Sequence, residues 1–304
     1  MKIVRDMQER WQAAPCALAL GAFDGLHRGH RAVIDAAMAA ARQAGLAPGV
    51  FTFEDSPSGA PALQTAEDKL ALLAAWGVEW VFTPGFPAVK DLEARAFFEE
   101  VLVKKCGARA LFCGEDFRFG KGAAGDVDSL RAWCAETGVS LTVVPPVTEG
   151  REKISSTRIR QAVEAGDIPA ANELLGHPFG YTLEVIHGNH IGTGLGTPTV
   201  NQALPEGFIL PPFGVYASVV EVDGAPYAGV TNIGVKPTVG SDRVLSETWI
   251  QGYSGDLYGR KLSVGLRAFL RPERKFASLD ELKAEIERNA RQALEVVEKE
   301  ISRK

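Results

Sequence analysis

Two patterns of apolar and polar residues divide the chain. From residue 14 to 145, short continuous apolar runs alternate with segments of helical period. The runs are Cys16–Gly21, Ala47–Phe53, Val78–Phe82, Ala110–Cys113 and Val139–Val144, and the stretches between them predict helices near 28–44, 65–75, 92–105 and 126–137. Strands that are apolar along their whole length are buried on both faces, so this half predicts a parallel sheet covered by helices on each side. Thr65 followed by Asp68 reads as an N-cap with its reciprocal acid.

After about residue 181 the pattern changes. Tyr181–His187, Gly214–Val222, Ala228–Ile233, Glu247–Gln251 and Leu262–Leu270 read as strands. Turn signals separate them at Asp223-Gly224, Lys236-Pro237, Gly240-Ser241-Asp242 and Ser254-Gly255-Asp256. Helix signals are scarce there, which predicts a small antiparallel barrel of Greek-key type. One long helix closes the chain. Ser278 and Glu281 form its capping box, and Leu279, Leu282, Ile286, Ala293, Val297 and Ile301 supply one apolar face. Residues 157–176 read as short helices joining the halves. The expected organisation is a Rossmann-like α/β domain over 1–180 and a β-barrel domain over 181–304.

Composition narrows the function classes. At roughly 100–200 residues per domain, the 304 residues suit two domains or one large one. A hydrophobic fraction of 46% excludes disorder as the main state, and a net charge of −5 excludes a polybasic nucleic-acid binder. No apolar run approaches the ~20 residues of a membrane span. The first residues lack the apolar core of a signal peptide. Cys16, Cys106, Cys113 and Cys134 include no CxxC pair, so neither a disulfide framework nor a zinc knuckle is indicated. These features lead to the expectation of a cytoplasmic enzyme acting on small molecules, without nucleic-acid or membrane partners.

The densest local signal is Gly21-Ala22-Phe23-Asp24-Gly25-Leu26-His27-Arg28-Gly29-His30. It follows an apolar strand and opens a helix, the place where open α/β sheets bind ligands. Gly21, Gly25 and Gly29 permit a tight turn and close backbone approach to a phosphate, with Phe23 and Asp24 in the same turn. His27 and His30, three apart at a helix start, can donate to one phosphate as its charge builds. Gly-rich strand-to-helix turns and capping histidines are common, but rarely this dense. A second element, Ile154-Ser155-Ser156-Thr157-Arg158-Ile159-Arg160, stacks hydroxyls and guanidiniums at a helix start and suits a polyphosphate. Taken alone, plain helix capping explains it about equally well. The stretch Gly114–Gly122 is no Walker A loop, because Gly122 stands where Ser or Thr belongs.

These motifs resemble the nucleotidyltransferase superfamily. Within it, Gly114–Gly122 with Ala123, Gly125 and Asp126 resembles the bacterial bifunctional riboflavin kinase/FMN adenylyltransferase (FAD synthetase) family. The second half carries matching kinase motifs. Gly192-Thr193-Gly194-Leu195-Gly196-Thr197-Pro198-Thr199-Val200-Asn201 resembles a Gly-rich phosphate loop with a Pro-Thr-x-Asn motif. Its glycines Gly192, Gly194 and Gly196 can cradle phosphates, and Thr199 and Asn201 offer hard oxygen ligands to Mg²⁺. The stretches 229–238, 246–250, 255–259 and 271–276 complete the set.

The resemblance implies two reactions, each using its own ATP. Riboflavin is phosphorylated to FMN with Glu247 as base, and FMN is adenylylated to FAD with release of pyrophosphate. It implies His27 and His30 for transition-state stabilisation, Ser155, Ser156, Thr157 and Arg158 for the pyrophosphate, and Asp116, Phe117, Phe119 and Asn232 for flavin. On a strand, Glu247 shares parity with Leu245 and Trp249, which sets it among apolar neighbours on one face. His187 and His190 read as loop or strand-end residues, since no third metal-type partner is near.

Some positions depart from the family pattern. Ser56 stands where a histidine is frequent, Thr193 and Thr197 where Arg and an aromatic are common, Trp249 for a frequent His, and Gly252 for a frequent Asp. Three rivals follow: a riboflavin kinase with a drifted adenylylating half, a non-catalytic flavin sensor, and a cytidylyltransferase that leaves 181–304 unexplained. A monomer or weak homo-oligomer is expected.

Overall fold

The computed structural model describes residues 1–6, 14–54, 58–187, 199–238 and 241–301. They form two compact units: Met1–Ala62 with Ala66–Ser156, and Leu63–Thr65 with Thr157–Lys304.

The first unit is a parallel sheet of six strands. These are β1 (Lys2–Val4), β2 (Cys16–Leu20), β3 (Ala47–Phe51), β4 (Trp80–Phe82), β5 (Ala108–Gly114) and β6 (Ser140–Val144), in the order β1-β4-β3-β2-β5-β6. The β2 strand is flanked by β3 on one side and β5 on the other. The order therefore reverses direction at its carboxyl end, where such sheets open a crevice.

Strand alternation sorts the core onto two faces. Ala17 and Ala19 turn toward helix α1 (Arg28–Ala44) and its buried Val33, Ile34, Ala37 and Ala41. Cys16, Leu18 and Leu20 point to the other face, against Phe97, Phe98, Val101 and Leu102. Small side chains on the α1 face let the helix approach closely, and Gly45 ends it in the left-handed conformation with φ 64°.

Helix α2 (Ala66–Ala75) follows β3, and the helix expected over 92–105 divides in two. Helix α3 (Ala94–Ala96) continues as a π-helix over Phe97–Lys105. The wider turn sets Phe97, Phe98, Val101 and Leu102 on one buried face. Helix α4 (Val127–Thr137) starts at Asp126, whose carboxylate accepts from the Ser129 amide at 2.9 Å. A short hairpin of β7 (Thr148–Glu149) and β8 (Glu152–Lys153) leads to α5 (Ser156–Glu164) and α6 (Ile168–Leu175). All four cysteines are buried and unpaired, and burial pushes the Cys16 thiol up to about 12.

The second unit is an antiparallel barrel. Its strands are β9 (Gly180–Glu184), β10 (Thr199–Ala203), β11 (Gly214–Val222), β12 (Ala225–Thr238), β13 (Ser241–Ile250) and β14 (Lys261–Pro272), ordered β10-β13-β12-β11-β14-β9. Gln202 closes the seam: its amide donates to the Leu183 carbonyl at 2.6 Å and the Leu262 carbonyl at 2.8 Å. The barrel interior is partly polar. Ser218, Thr231 and Thr248, all fully buried, form a hydroxyl chain at 2.8 and 2.9 Å, and the Tyr181 hydroxyl bonds Ser246 at 2.6 Å. Helix α7 (Leu279–Ile301) lies over the outer face of β11 and β12.

Several expectations need correction. Lys236-Pro237 and Ser241-Asp242 are not turns but paired ends of β12 and β13, with Lys236 opposite Arg243. The β1 and β10 strands were not expected; each is short and is held by pairing, with β4 and β13 respectively. Leu279 is 68% exposed and lies off the apolar face, because it precedes the first turn that meets the barrel. The helices at 157–176, read as a joining segment, belong with the barrel unit. Asn172 on α6 fixes them there, donating to the Leu266 carbonyl at 2.9 Å and accepting from the Phe179 amide at 2.6 Å.

Candidate functional sites

The turn after β2 is held in an unusual backbone shape. Phe23, Gly25 and Leu26 all adopt positive φ, at 49°, 82° and 40°. Two non-glycine residues in that region cost of order 1–3 kcal/mol each and persist only where the surroundings fix them. The surroundings do so from several sides. The Gly21 amide donates to Phe51, the Thr52 hydroxyl donates to the Ala22 carbonyl at 2.8 Å, and the Ser156 hydroxyl donates to the Asp24 carbonyl at 2.9 Å. Phe23 and Leu26 are themselves core residues.

His27 is the N-cap of α1. Its Nδ1 accepts from the His30 amide at 3.2 Å, so in the neutral ring the proton sits on Nε2. The His27 and His30 rings stack at 3.5 Å, and a Cβ on Gly29 would meet the His27 ring at 3.1 Å. Glycine is thus needed there to seat the histidine. His30 Nδ1 is buried without a hydrogen-bond partner among the described residues. Desolvation first, then the positive neighbours His27, Lys69 and Lys153, hold the His30 pKa well below its usual value.

Around this pair the sequence-derived residues separate into two groups. Asp116 forms an ion pair with Lys153 at 2.7 Å, and that hydrogen bond, ahead of other causes, lowers its carboxyl pKa. Phe117 is half-buried and stacks on Phe119 at 5.5 Å. Phe119 itself lies in the core against Phe97 and Trp133, so it backs Phe117 instead of facing outward. Ser155 and Ser156 end the first unit, and Thr157 and Arg158 occupy the first turn of α5. Lys69 escaped the sequence reading. A lysine on a surface-type helix pattern gives no sign that it is 4% exposed.

The barrel site is assembled by register. Glu247 on β13 lies directly opposite Asn201 on β10 and Asn232 on β12. Asn232 in turn faces Val215, and Val215 faces Arg271. Directly opposed residues share a face, so these five side chains form one row across the sheet. One pleat away on the same face, Thr199 pairs with Trp249 and Trp249 with Val230. Glu247, Asn232, Val215 and Arg271 of this row form the floor of a cavity of about 340 Å³, which Phe276 and the α7 residues Leu282, Ile286 and Asn289 also line. Glu247 therefore does stand among apolar neighbours, but on the outer face under α7, since Ser246 and Thr248 fill the barrel interior.

The polar atoms of this row are unevenly engaged. Asn201 Oδ1 is buried with no hydrogen-bond partner among the described residues, whereas the Asn232 amide donates to Glu273 at 3.0 Å. Glu285 on α7 gathers Arg271, Arg274 and Arg288, and Arg271 and Arg274 both lie over the Phe276 ring. His187 stacks on Tyr258 at 4.0 Å. Ser56, His190, Gly192, Thr193, Gly194, Gly196 and Thr197 lie outside the described residues.

Comparison with known proteins assigns both halves. Residues 9–158 match the family described as FAD synthetase, and residues 175–297 match riboflavin kinase. A bifunctional riboflavin kinase/FMN adenylyltransferase of Escherichia coli is 39% identical over 300 residues, covering 95% of this chain and 96% of that protein. One from Pseudomonas fluorescens is 36% identical over 295 residues, covering 94% of each. A crystal structure from Streptococcus pneumoniae, described as a macrolide-efflux protein, matches with a TM-score of 0.84 and 29% identity over 95% of this chain and 96% of that one. No helix among the described residues is long and apolar enough to cross a membrane. With both halves matched in order along nearly its whole length, the chain belongs to the bifunctional riboflavin kinase/FMN adenylyltransferase family.

Proposed function

We propose that the two reactions of this family are divided between the two halves of the chain, FMN adenylylation in residues 1–180 and riboflavin phosphorylation in residues 181–304. The observation that carries this reading is that each unit holds its own cluster suited to phosphoryl chemistry. The first stacks His27 on His30, and the second sets Glu247 between Asn201 and Asn232.

In the barrel, Glu247 takes the proton from the ribityl 5′-hydroxyl of riboflavin as that oxygen attacks the γ-phosphorus of ATP. FMN and ADP result. Val215, Val230, Trp249, Phe276, Leu282 and Ile286 give the flavin an apolar, water-excluding wall, with Asn232 at its edge. Asn201 Oδ1, buried without a hydrogen-bond partner among the described residues, and Thr199 on the same face fit the Mg²⁺ that accompanies ATP. When bound, that ion offsets phosphate charge. Gly192, Gly194 and Gly196 cradle the phosphates in this reading.

In the first unit the FMN phosphate attacks the α-phosphorus of a second ATP, and pyrophosphate leaves. The nucleophile is already ionised at neutral pH, so no general base is required. His27, through Nε2–H, and His30 stabilise charge on the α-phosphoryl oxygens, beside the turn backbone of Gly21, Phe23, Asp24, Gly25 and Gly29. Ser155, Thr157 and Arg158 hold the departing pyrophosphate. Ser156 contributes by fixing the turn, since its hydroxyl donates to the Asp24 carbonyl. Asp116 and Phe117, with Phe119 behind, meet the flavin. A cytoplasmic location is part of the reading, supported by four buried, unpaired thiols.

The test is to incubate the pure protein with riboflavin and MgATP and separate the flavins by chromatography. FMN followed by FAD is expected. FMN alone would favour the single-activity kinase, and neither product would defeat the enzymatic reading.

A further inference from the structure

Lys69 sits where a lysine is costly. It is 4% exposed, on the face of α2 that also buries Leu73. Burying an ammonium group carries a penalty of several kcal/mol unless its hydrogens are well matched. Here its Nζ donates to the Phe53 carbonyl at 2.7 Å and the Ala22 carbonyl at 3.3 Å. Both carbonyls lie just beyond the carboxyl ends of neighbouring strands, β3 and β2, at the crevice of the parallel sheet.

Ala22 is the second residue of the histidine turn, and its carbonyl receives a second donor, the Thr52 hydroxyl. The peptide between Ala22 and Phe23 is planar and trans, so anchoring that carbonyl on Lys69 and Thr52 turns the Phe23 N–H to the opposite side. Phe23 is the first of the positive-φ residues that set the turn's shape. A leucine or methionine would fill the same space without cost in charge, so the packing of α2 alone gives no reason for lysine here.

We propose that Lys69 is a positioning residue for adenylyl transfer: its ammonium anchors the Ala22–Phe23 peptide and so holds the His27/His30 turn in its reactive shape. The inference rests on adenylylation taking place in this unit. Its charge also bears on His30, alongside His27 and Lys153, in the direction that keeps the ring neutral.

The two activities in one chain give the test an internal control. In Lys69→Met, the kcat for FMN-to-FAD conversion should fall at least ~100-fold, a loss of the size expected for a misplaced transition-state group. The KM for FMN should stay within about threefold, and riboflavin phosphorylation by the same preparation should be unchanged, since removing uniform binding would raise KM instead. Lys69→Arg, which keeps charge and donors, should recover most of the lost rate. Histidine NMR titration should show the His30 pKa higher in Lys69→Met than in the wild type, as removal of a neighbouring positive charge requires, and restored in Lys69→Arg.

Conversion within threefold of wild type in Lys69→Met overturns the inference. If Lys69→Met does not fold, Lys69→Gln decides: folded and near wild-type in conversion overturns the inference, whereas folded and strongly impaired supports it. A wild-type chain that makes FMN but no FAD overturns the adenylylation reading itself, and this inference with it.

Discussion

The two proposed sites have opposite architectures. The one proposed for adenylyl transfer is local: ten consecutive residues, Gly21–His30, supply the turn, the cap and both rings. Its difficulty lies in the backbone, where Phe23, Gly25 and Leu26 take positive φ and need anchoring from β3, α2 and the start of α5. The proposed kinase site lies on extended strand backbone and has a different difficulty. Its floor gathers residues from Thr199 to Arg271 on five strands, and one helix closes it. A local site depends on strain being held, and a distributed site depends on register. Damage should spread differently in each.

On the adenylylation side, the largest separation is expected from His27→Ala. Losing both the cap and a transition-state donor should lower FMN-to-FAD conversion by ~10²–10³-fold, the scale of one removed oxyanion-type donor. Riboflavin phosphorylation, measured in the same sample, should stay within twofold. Equal loss of both would erase the contrast drawn between the sites.

Next is Asn201→Ala. Removing a buried oxygen suited to Mg²⁺ should lower riboflavin phosphorylation by ~10–100-fold and raise the Mg²⁺ concentration needed for half-maximal rate. FMN-to-FAD conversion should not change. A Mg²⁺ titration of both reactions reads this directly, and an unchanged kinase titration would remove Asn201 from the metal site.

A smaller effect, on stability, is expected from Glu285→Gln. This carboxylate joins Arg288, Arg274 and Arg271 across α7 and the end of β14, and hydrogen bonding by Arg288, first among the causes, lowers its pKa. A depressed carboxyl pKa stabilises the fold above the unfolded value and ceases to do so as pH falls through the folded value. The Tm gap between wild type and Glu285→Gln should therefore be constant near neutrality and close below about pH 4, where free carboxyl groups protonate. A gap that widened in acid would contradict the assignment. Near neutrality the loss should be roughly 1.5–3 kcal/mol, as for hydrogen bonds to charged groups.

The smallest effect is expected from Tyr181→Phe in the barrel interior. It deletes the hydroxyl bonded to Ser246, at a cost of ~1 kcal/mol measured by denaturant unfolding, with both activities retained. A large loss of kinase activity instead would mean that the interior hydroxyls reach the chemistry on the other face.

Legibility in the sequence follows the same division. The Gly21–His30 turn could be read because its chemistry is packed into one stretch, and the apolar runs located the inner strands of the parallel sheet. What escaped were features that depend on partners far along the chain. Lys69 looks like any helix lysine until β2 and β3 bring two carbonyls to it. The β10 strand has little strand pattern of its own and exists through β13, and Pro237 reads as a break in a strand that pairs up to Thr238. Parity put Glu247 among apolar residues correctly, yet which face was the barrel interior depended on Ser218, Thr231 and Thr248 bonding to one another. Phe119 belongs to a flavin-type motif and also to the core, and only packing distinguishes the two roles.

The central claim is that one chain carries two separable reactions with separate catalytic groups. Glu247→Gln tests it most directly, assayed side by side with riboflavin plus MgATP and with FMN plus MgATP. The account predicts almost no FMN from riboflavin, a loss of ~10²–10⁴-fold as for a removed general base, together with FAD from FMN at the wild-type rate. Loss of FAD formation from supplied FMN in the folded variant would contradict it.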